Sequence, residues 1–172
     1  MQVEVPKEVH VEVKGVQVLT KGSLGTNSRN FNDALLSVTS EGSRLVITPS
    51  TSRALKKKAS MAARALAKEL GNDIAGVAKH YEVNMQVIFA HFPATVEAKG
   101  KEVVIKNLIG ERGVRKIELS GDTKIEVKGQ NLRLYGTKLD DVAQSAANLR
   151  KACKIRKKDE RVFQDGIYYS VE

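Results

Sequence analysis

At 172 residues with 41% hydrophobic side chains, the chain is long enough for one domain or two small ones and too apolar to be disordered throughout. No apolar run approaches the ~18 residues that cross a bilayer, no signal-peptide pattern opens the chain, and a single cysteine, Cys153, excludes an internal disulfide framework. Lysine and arginine number 29 against 20 acidic residues, a net charge of +9 that favours a polyanionic partner over a basic one.

Aromatic residues make up only 5% of the chain and tryptophan is absent, so any core must be built from Val, Ile, Leu and Ala. Residues 2–20 read as two short strands: Val9, Val11 and Val13 alternate with charged residues, Lys14-Gly15 turns, and Val16, Val18 and Leu19 follow. Lys21 to Arg29, with two glycines and small polar residues, reads as a loop. Leu35–Val38 and Arg44–Ile47 form a further strand pair around Glu41-Gly42. A helix is predicted from Ser52 to Leu70, capped by Ser50 or Thr51 and stopped at Gly71-Asn72. Leu55, Ala59, Ala62, Leu66 and Leu70 share its apolar face, and Arg53, Lys57, Arg64 and Lys68 share another. Ile74–His80 keeps helical character, and Val83–Pro93 returns to alternation.

From there the pattern repeats. Val-Glu-Val-Lys-Gly ending at Gly15 recurs as Val-Glu-Ala-Lys-Gly ending at Gly100, an offset of 100 − 15 = 85. Val38, Gly42, Leu45 and Ile47 match Ile125, Gly129, Leu132 and Leu134 at an offset of 125 − 38 = 87. A second helix follows, with Thr137 and Asp140 spaced as a capping box and Val142, Ala146, Leu149 and Cys153 as its apolar ladder. Two copies are too few for a solenoid. The fold class expected is α+β: two tandem similar domains, residues 1–83 and 84–172, each a small antiparallel sheet assembly covered by one helix.

No residue constellation points to catalysis. His10, His80 and His91 are too scattered for a local metal site and have no neighbouring cysteine pair. Cys153 falls on an apolar helix face, which marks a core thiol. Gly22 to Gly25 lacks the Lys-Ser/Thr of a phosphate loop. No enzyme activity, cofactor, metal or small-molecule substrate is therefore expected. Charge is placed unevenly instead. Residues 1–50 carry five basic and five acidic side chains, whereas Arg150, Lys151, Lys154, Arg156, Lys157, Lys158 and Arg161 are offset only by Asp159 and Glu160. The stretch Asn107–Lys116 pairs Gly110 and Gly113, which permit positive φ, with Arg112, Arg115 and Lys116. After Arg161, Asp165-Gly166 is a hairpin or turn signal, Phe163 a core candidate, and Tyr168 and Tyr169 point to opposite faces if extended. Bare surface charge remains the competing reading of both cationic stretches.

Three stretches, GVAKHYEVNMQVIFAHFP, NLIGERGVRK and KIRKKDERVFQDGIYYS, together resemble the archaeal and eukaryotic branch of the ribosomal protein L6 family over essentially the whole chain. The resemblance implies two copies of one α+β fold. It also implies binding to large-subunit rRNA, mainly by the second domain, near the sarcin–ricin loop and stalk base, beside neighbouring ribosomal proteins and docking translation factors. Carried over by position, the RNA-binding residues are Lys106, Asn107, Arg112, Arg115 and Lys116, then Lys154, Arg156, Lys157, Lys158, Arg161, Gln164 and Tyr168. A cytoplasmic, ribosomal location follows. The alternatives are an RNA-binding or RNA-processing module outside the ribosome and, less in keeping with the residues, a small nucleotide-acting enzyme.

Overall fold

The structure, a computed structural model, describes residues 1–6, 8–41, 44–49, 55–90, 92–156, 158–159 and 161–170. The chain divides into two compact units, Met1–His80 and Tyr81–Glu172. Helices and small antiparallel sheets share each unit, the α+β class expected.

The first unit contains β1 (Gln2–Glu4), β2 (His10–Lys14), β3 (Gln17–Gly22), β4 (Gly25–Asn30), β5 (Leu36–Glu41), β6 (Arg44–Pro49) and α1 (Lys56–Ala78). They form two three-stranded antiparallel sheets, in the orders β1-β6-β5 and β2-β3-β4. Alternation in β6 sends Leu45 and Ile47 inward, and Val38 of the neighbouring β5 and Val18 of β3 in the other sheet join them in the core. Onto this floor α1 lays Ala63, Leu66, Leu70, Ile74 and Val77. Small residues early in that ladder let the helix approach closely.

The second unit contains β7 (Tyr81–Ile88), β8 (Thr95–Lys99), β9 (Glu102–Lys106), β10 (Val114–Glu118), β11 (Lys124–Lys128), β12 (Asn131–Gly136), α2 (Leu139–Ala152) and β13 (Gly166–Tyr169). Its sheets run β10-β9-β8 and β11-β12-β7-β13. Strand for strand this is the order of the first unit, with β13 added beside β7. Gly15 and Gly100 occupy the same place in the β2–β3 and β8–β9 turns, at φ +58 and +63, where a side chain would be strained. Buried Val142, Ala146, Leu149 and Cys153 seat α2 on Met85, Val87, Leu132 and Leu134.

Several expectations change. Residues 2–20 hold three strands, because the short β1 pairs with β6 more than forty residues later (Val3↔Leu45). Most of Lys21–Arg29 is strand, continuing β3 and forming β4 around a two-residue turn at Ser23 and Leu24. It looks like a loop because its inward positions are polar. Asn27 is buried, and Arg29 bonds the Asp73 carboxylate through Nε at 2.6 Å and Nη2 at 3.1 Å. The helix does not stop at Gly71; it runs to Ala78, because Ile74 and Val77 continue the buried face and outweigh the roughly 1 kcal/mol cost of an interior glycine. The caps expected at Ser50 or Thr51, and also Gly42, Arg53 and His91, lie outside the described residues. Lys138, not Thr137, precedes the first residue of α2. Asp165-Gly166 makes no hairpin: Gly166 opens β13 opposite Ile88, and the Asp165 carboxylate accepts the Ala90 N–H at 2.7 Å. Tyr168 and Tyr169 are both exposed on that edge strand.

Candidate nucleic-acid interface

In the second unit seven residues, 107–113 (113 − 106 = 7), join β9 to β10. The matching β3–β4 connection of the first unit has two. A short 3-10 turn at Leu108–Gly110 shapes the longer one. Its backbone is left-handed at Asn107 (φ 57), Ile109 (φ 53) and Gly110 (φ 71), whereas Gly113, expected to share that freedom, does not use it. A β-branched residue in this region costs on the order of 1–2 kcal/mol. Burial of Leu108 and packing of Ile109 against the core hold the turn. Gly110 lies against the Phe92 ring, where a Cβ would stand 3.3 Å from the ring edge.

Charged side chains here are sorted by partner. Lys106 bonds Glu97 at 2.7 Å and holds that carboxyl below its ordinary range, chiefly through this bond. The Asn107 amide donates to the Pro93 carbonyl at 3.2 Å. Arg115, a residue of β10 and not of the loop, grips the Glu111 carboxylate with Nη2 at 2.6 Å and Nε at 3.0 Å. Its Nη1 donates to the main-chain carbonyls of Ala152 and Lys154. Four acceptors thus engage this guanidinium; the Ala152 carbonyl is one that the end of α2 leaves unsatisfied, and Lys154 lies just past the helix. Arg112 and Lys116 are exposed and make no ion pair among the described residues.

Arg115 brings the loop and the terminal stretch together. One cleft is lined by Lys116, Asn148, Lys151, Ala152 and Arg156, with Glu102 and Glu118 also on its wall. A second is lined by Glu111, Arg115, Lys151, Ala152, Lys154 and Arg156. A third, of about 410 Å³, runs between the last turns of α2 and β13 and takes in Arg150, Lys151, Lys154, Phe163 and Tyr168. Lys151 borders all three. Arg150 and Lys151 are absent from the site residues carried over by resemblance; the available signal was their place in the last turn of α2, off the apolar ladder. There they also favour the negative end of the helix dipole, as Asp140 and Asp141 favour its start.

Further along, Lys158 lies 4.5 Å from the centre of the Phe163 ring, and Arg150 lies 5.8 Å from that of Tyr169. Phe163 is half-buried under that ammonium. Gln164 donates to the Arg161 carbonyl at 3.3 Å, and the Arg161 side chain is exposed. Tyr168 rests on Gly166 and faces Gln86 across the strand pair. Lys157 lies outside the described residues. The structure therefore groups Arg115, Lys116, Lys154 and Arg156 on one surface and leaves Lys106 and Asn107 occupied with their own neighbours. Burial pushes the Cys153 thiol up to about 11, so it is no nucleophile at neutral pH.

A sequence model of the family described as Ribosomal protein L6 matches residues 92–166. The large ribosomal subunit protein uL6 of Methanocella arvoryzae is 39% identical over 168 residues, 97% of this chain and 93% of its own length. The proteins of the same name from Methanobrevibacter smithii and Saccharolobus solfataricus are 38% and 34% identical, over 97% of this chain and 92% and 91% of theirs. The chain belongs to the ribosomal protein L6 family. These relatives are archaeal, in keeping with the branch that the three stretches together resemble, and the family is one of structural, non-enzymatic ribosome components. No helix among the described residues is long and apolar enough to cross a membrane.

Proposed function

We propose that this protein is a structural constituent of the large ribosomal subunit and grips its rRNA with the second unit. Residues 84–172 form the main RNA-binding domain in this reading. The contact lies near the sarcin–ricin loop and stalk base, with other subunit proteins alongside and translation factors docking nearby. The carrying observation is the convergence of Lys116, Lys151, Lys154 and Arg156 on adjoining clefts, brought about by the four bonds of Arg115. Cations clustered this way neutralise phosphates and release counterions, and clefts between them read RNA by shape more than by sequence.

The residues divide into two roles. Arg112, Lys116, Lys154, Arg156, Lys157, Lys158 and Arg161 contact phosphate, with Gln164 and Tyr168 at the edge of the same surface. Lys106, Asn107 and Arg115 act as positioning residues, holding the loop that presents the others. Large subunits carrying Arg112→Glu and Lys116→Glu should lose the protein on a high-salt wash that wild-type particles withstand. Equal retention refutes this surface. Sedimentation separately decides against an RNA-processing module, since a subunit component travels with large subunits.

A further inference from the structure

We infer that α1 carries a second RNA-facing surface, on the first unit: the stripe Lys57, Met61, Arg64 and Lys68 receives a phosphodiester backbone. This deepens the rRNA-binding reading and rests on it. Spacings of four, three and four place these residues on one exposed face. At 1.5 Å per residue the stripe is ~16 Å long, enough to follow several phosphates of a duplex. Its cations have no carboxylate to meet among the described residues of the helix. The two acids of α1, Glu69 and Asp73, both bond Arg29.

The charge order of α1 runs against its own stability. Lys56, Lys57 and Lys58 fill the first turn, no acidic residue stands there, and Leu55 at the N-cap provides no side-chain cap. Ammonium groups at the positive end of a helix dipole are unfavourable, and Arg64 with Lys68 is a like-charge pair one turn apart. In the second unit α2 follows the opposite rule, acidic at its start and basic at its end. A local rule broken with no compensating acid or cap among the described residues of α1 marks a surface kept for a partner. That partner is a polyphosphate and not a protein, because lysine is depleted in protein interfaces and the stripe offers one apolar side chain, Met61.

Binding of the full chain to a large-subunit rRNA transcript, measured across salt concentrations, tests this. Lys57→Ala/Arg64→Ala/Lys68→Ala should lower the slope of log affinity against log salt by about 2, since each phosphate contact contributes ~0.7–0.9. Its melting temperature should be equal to or above wild type, because a destabilising charge arrangement is removed. Should the alanine variant melt lower, the Gln variant at the same three positions, which keeps side-chain length, must show the same loss of slope. Unchanged slope and affinity, with a fall for Lys116→Ala/Lys151→Ala/Arg156→Ala, would overturn the α1 surface and leave the second-unit reading standing. No change in either variant would sink both. Wild-type RNA affinity with loss from salt-washed subunits would assign α1 to an acidic protein neighbour, which also overturns the inference.

Discussion

Replacing Arg115 by alanine separates a residue that builds the surface from one that only decorates it. Its two bonds to Glu111 involve a carboxylate side chain that is 44% exposed, so solvent screening limits them to about 1 kcal/mol or less. The bond to the Ala152 carbonyl is short and charge-assisted, worth about 1.5–3 kcal/mol. The one to Lys154, at 3.4 Å, adds little. The loss is therefore about 2–3 kcal/mol. The second unit spans 172 − 81 + 1 = 92 residues, and at this size 1 kcal/mol shifts Tm by ~4–8 °C, so its unfolding should fall by roughly 10 °C or more. Calorimetry of the full chain reads this directly, with Arg112→Ala as the control of equal charge change. Hydrogen exchange should also quicken at 108–118 and at the last turn of α2. If Arg115→Ala melts within 2 °C of Arg112→Ala, with unaltered exchange, the guanidinium is not what joins β10 to α2.

Asp73→Ala leaves Arg29, 13% exposed, with Glu69 but without its bidentate partner; a loss of about 3 kcal/mol is expected in the urea unfolding of the first unit, and Asp73→Asn should lose less. Gly22→Ala would put a Cβ 2.7 Å from the Val77 side chain and 2.8 Å from its carbonyl oxygen, so overpacking should cost about 1–3 kcal/mol in the same assay. Cys153 keeps its proton to about pH 11 when folded, against 9.0 ordinarily. The unfolded chain releases that proton first, so this thiol has no effect below about pH 8 and lowers stability as pH rises from 9 to 11. Over that window wild type should lose on the order of 2 kcal/mol more than Cys153→Ala; parallel profiles would refute the burial of the thiol.

What the chain discloses locally is its alternation. The valines of β2 and β3 and the ladder of α2 each state their partner face within a dozen residues, and the 85- and 87-residue offsets align strands that take the same place in both sheets. Non-local pairing is what stays hidden. Asn27 and Arg29 look like loop residues because the groups that satisfy them, on Asp73, lie more than forty positions away. The three residues of β1 are too few to show a period, and β13 is a strand because β7 has an open edge, a fact invisible from Asp165-Gly166. For the interface, composition locates the cationic stretches but not their sorting. Nothing near Arg115 reveals that its guanidinium ends on the carbonyls of Ala152 and Lys154. Ile109 in a left-handed conformation has no sequence signal either; the buried Leu108 beside it imposes it.

The two units show why one of them can carry the denser cationic surface. Like charges crowded on a small domain repel, and that repulsion must be offset within the fold or by a partner. In the second unit much of it is offset within the fold. Arg150 and Lys151 sit at the negative end of α2, Lys106 is held by Glu97, and Arg115 spends its charge on Glu111 and two carbonyls. Lys116 and Arg156 are then left to face outward on a frame held by these contacts. Among the described residues no such offset lies along α1, so on the inference above its cations would gain from a partner more than they contribute to folding. With rRNA as the proposed partner, the second unit would be a preformed contact, and the cations of α1 would become favourable only once the chain is docked.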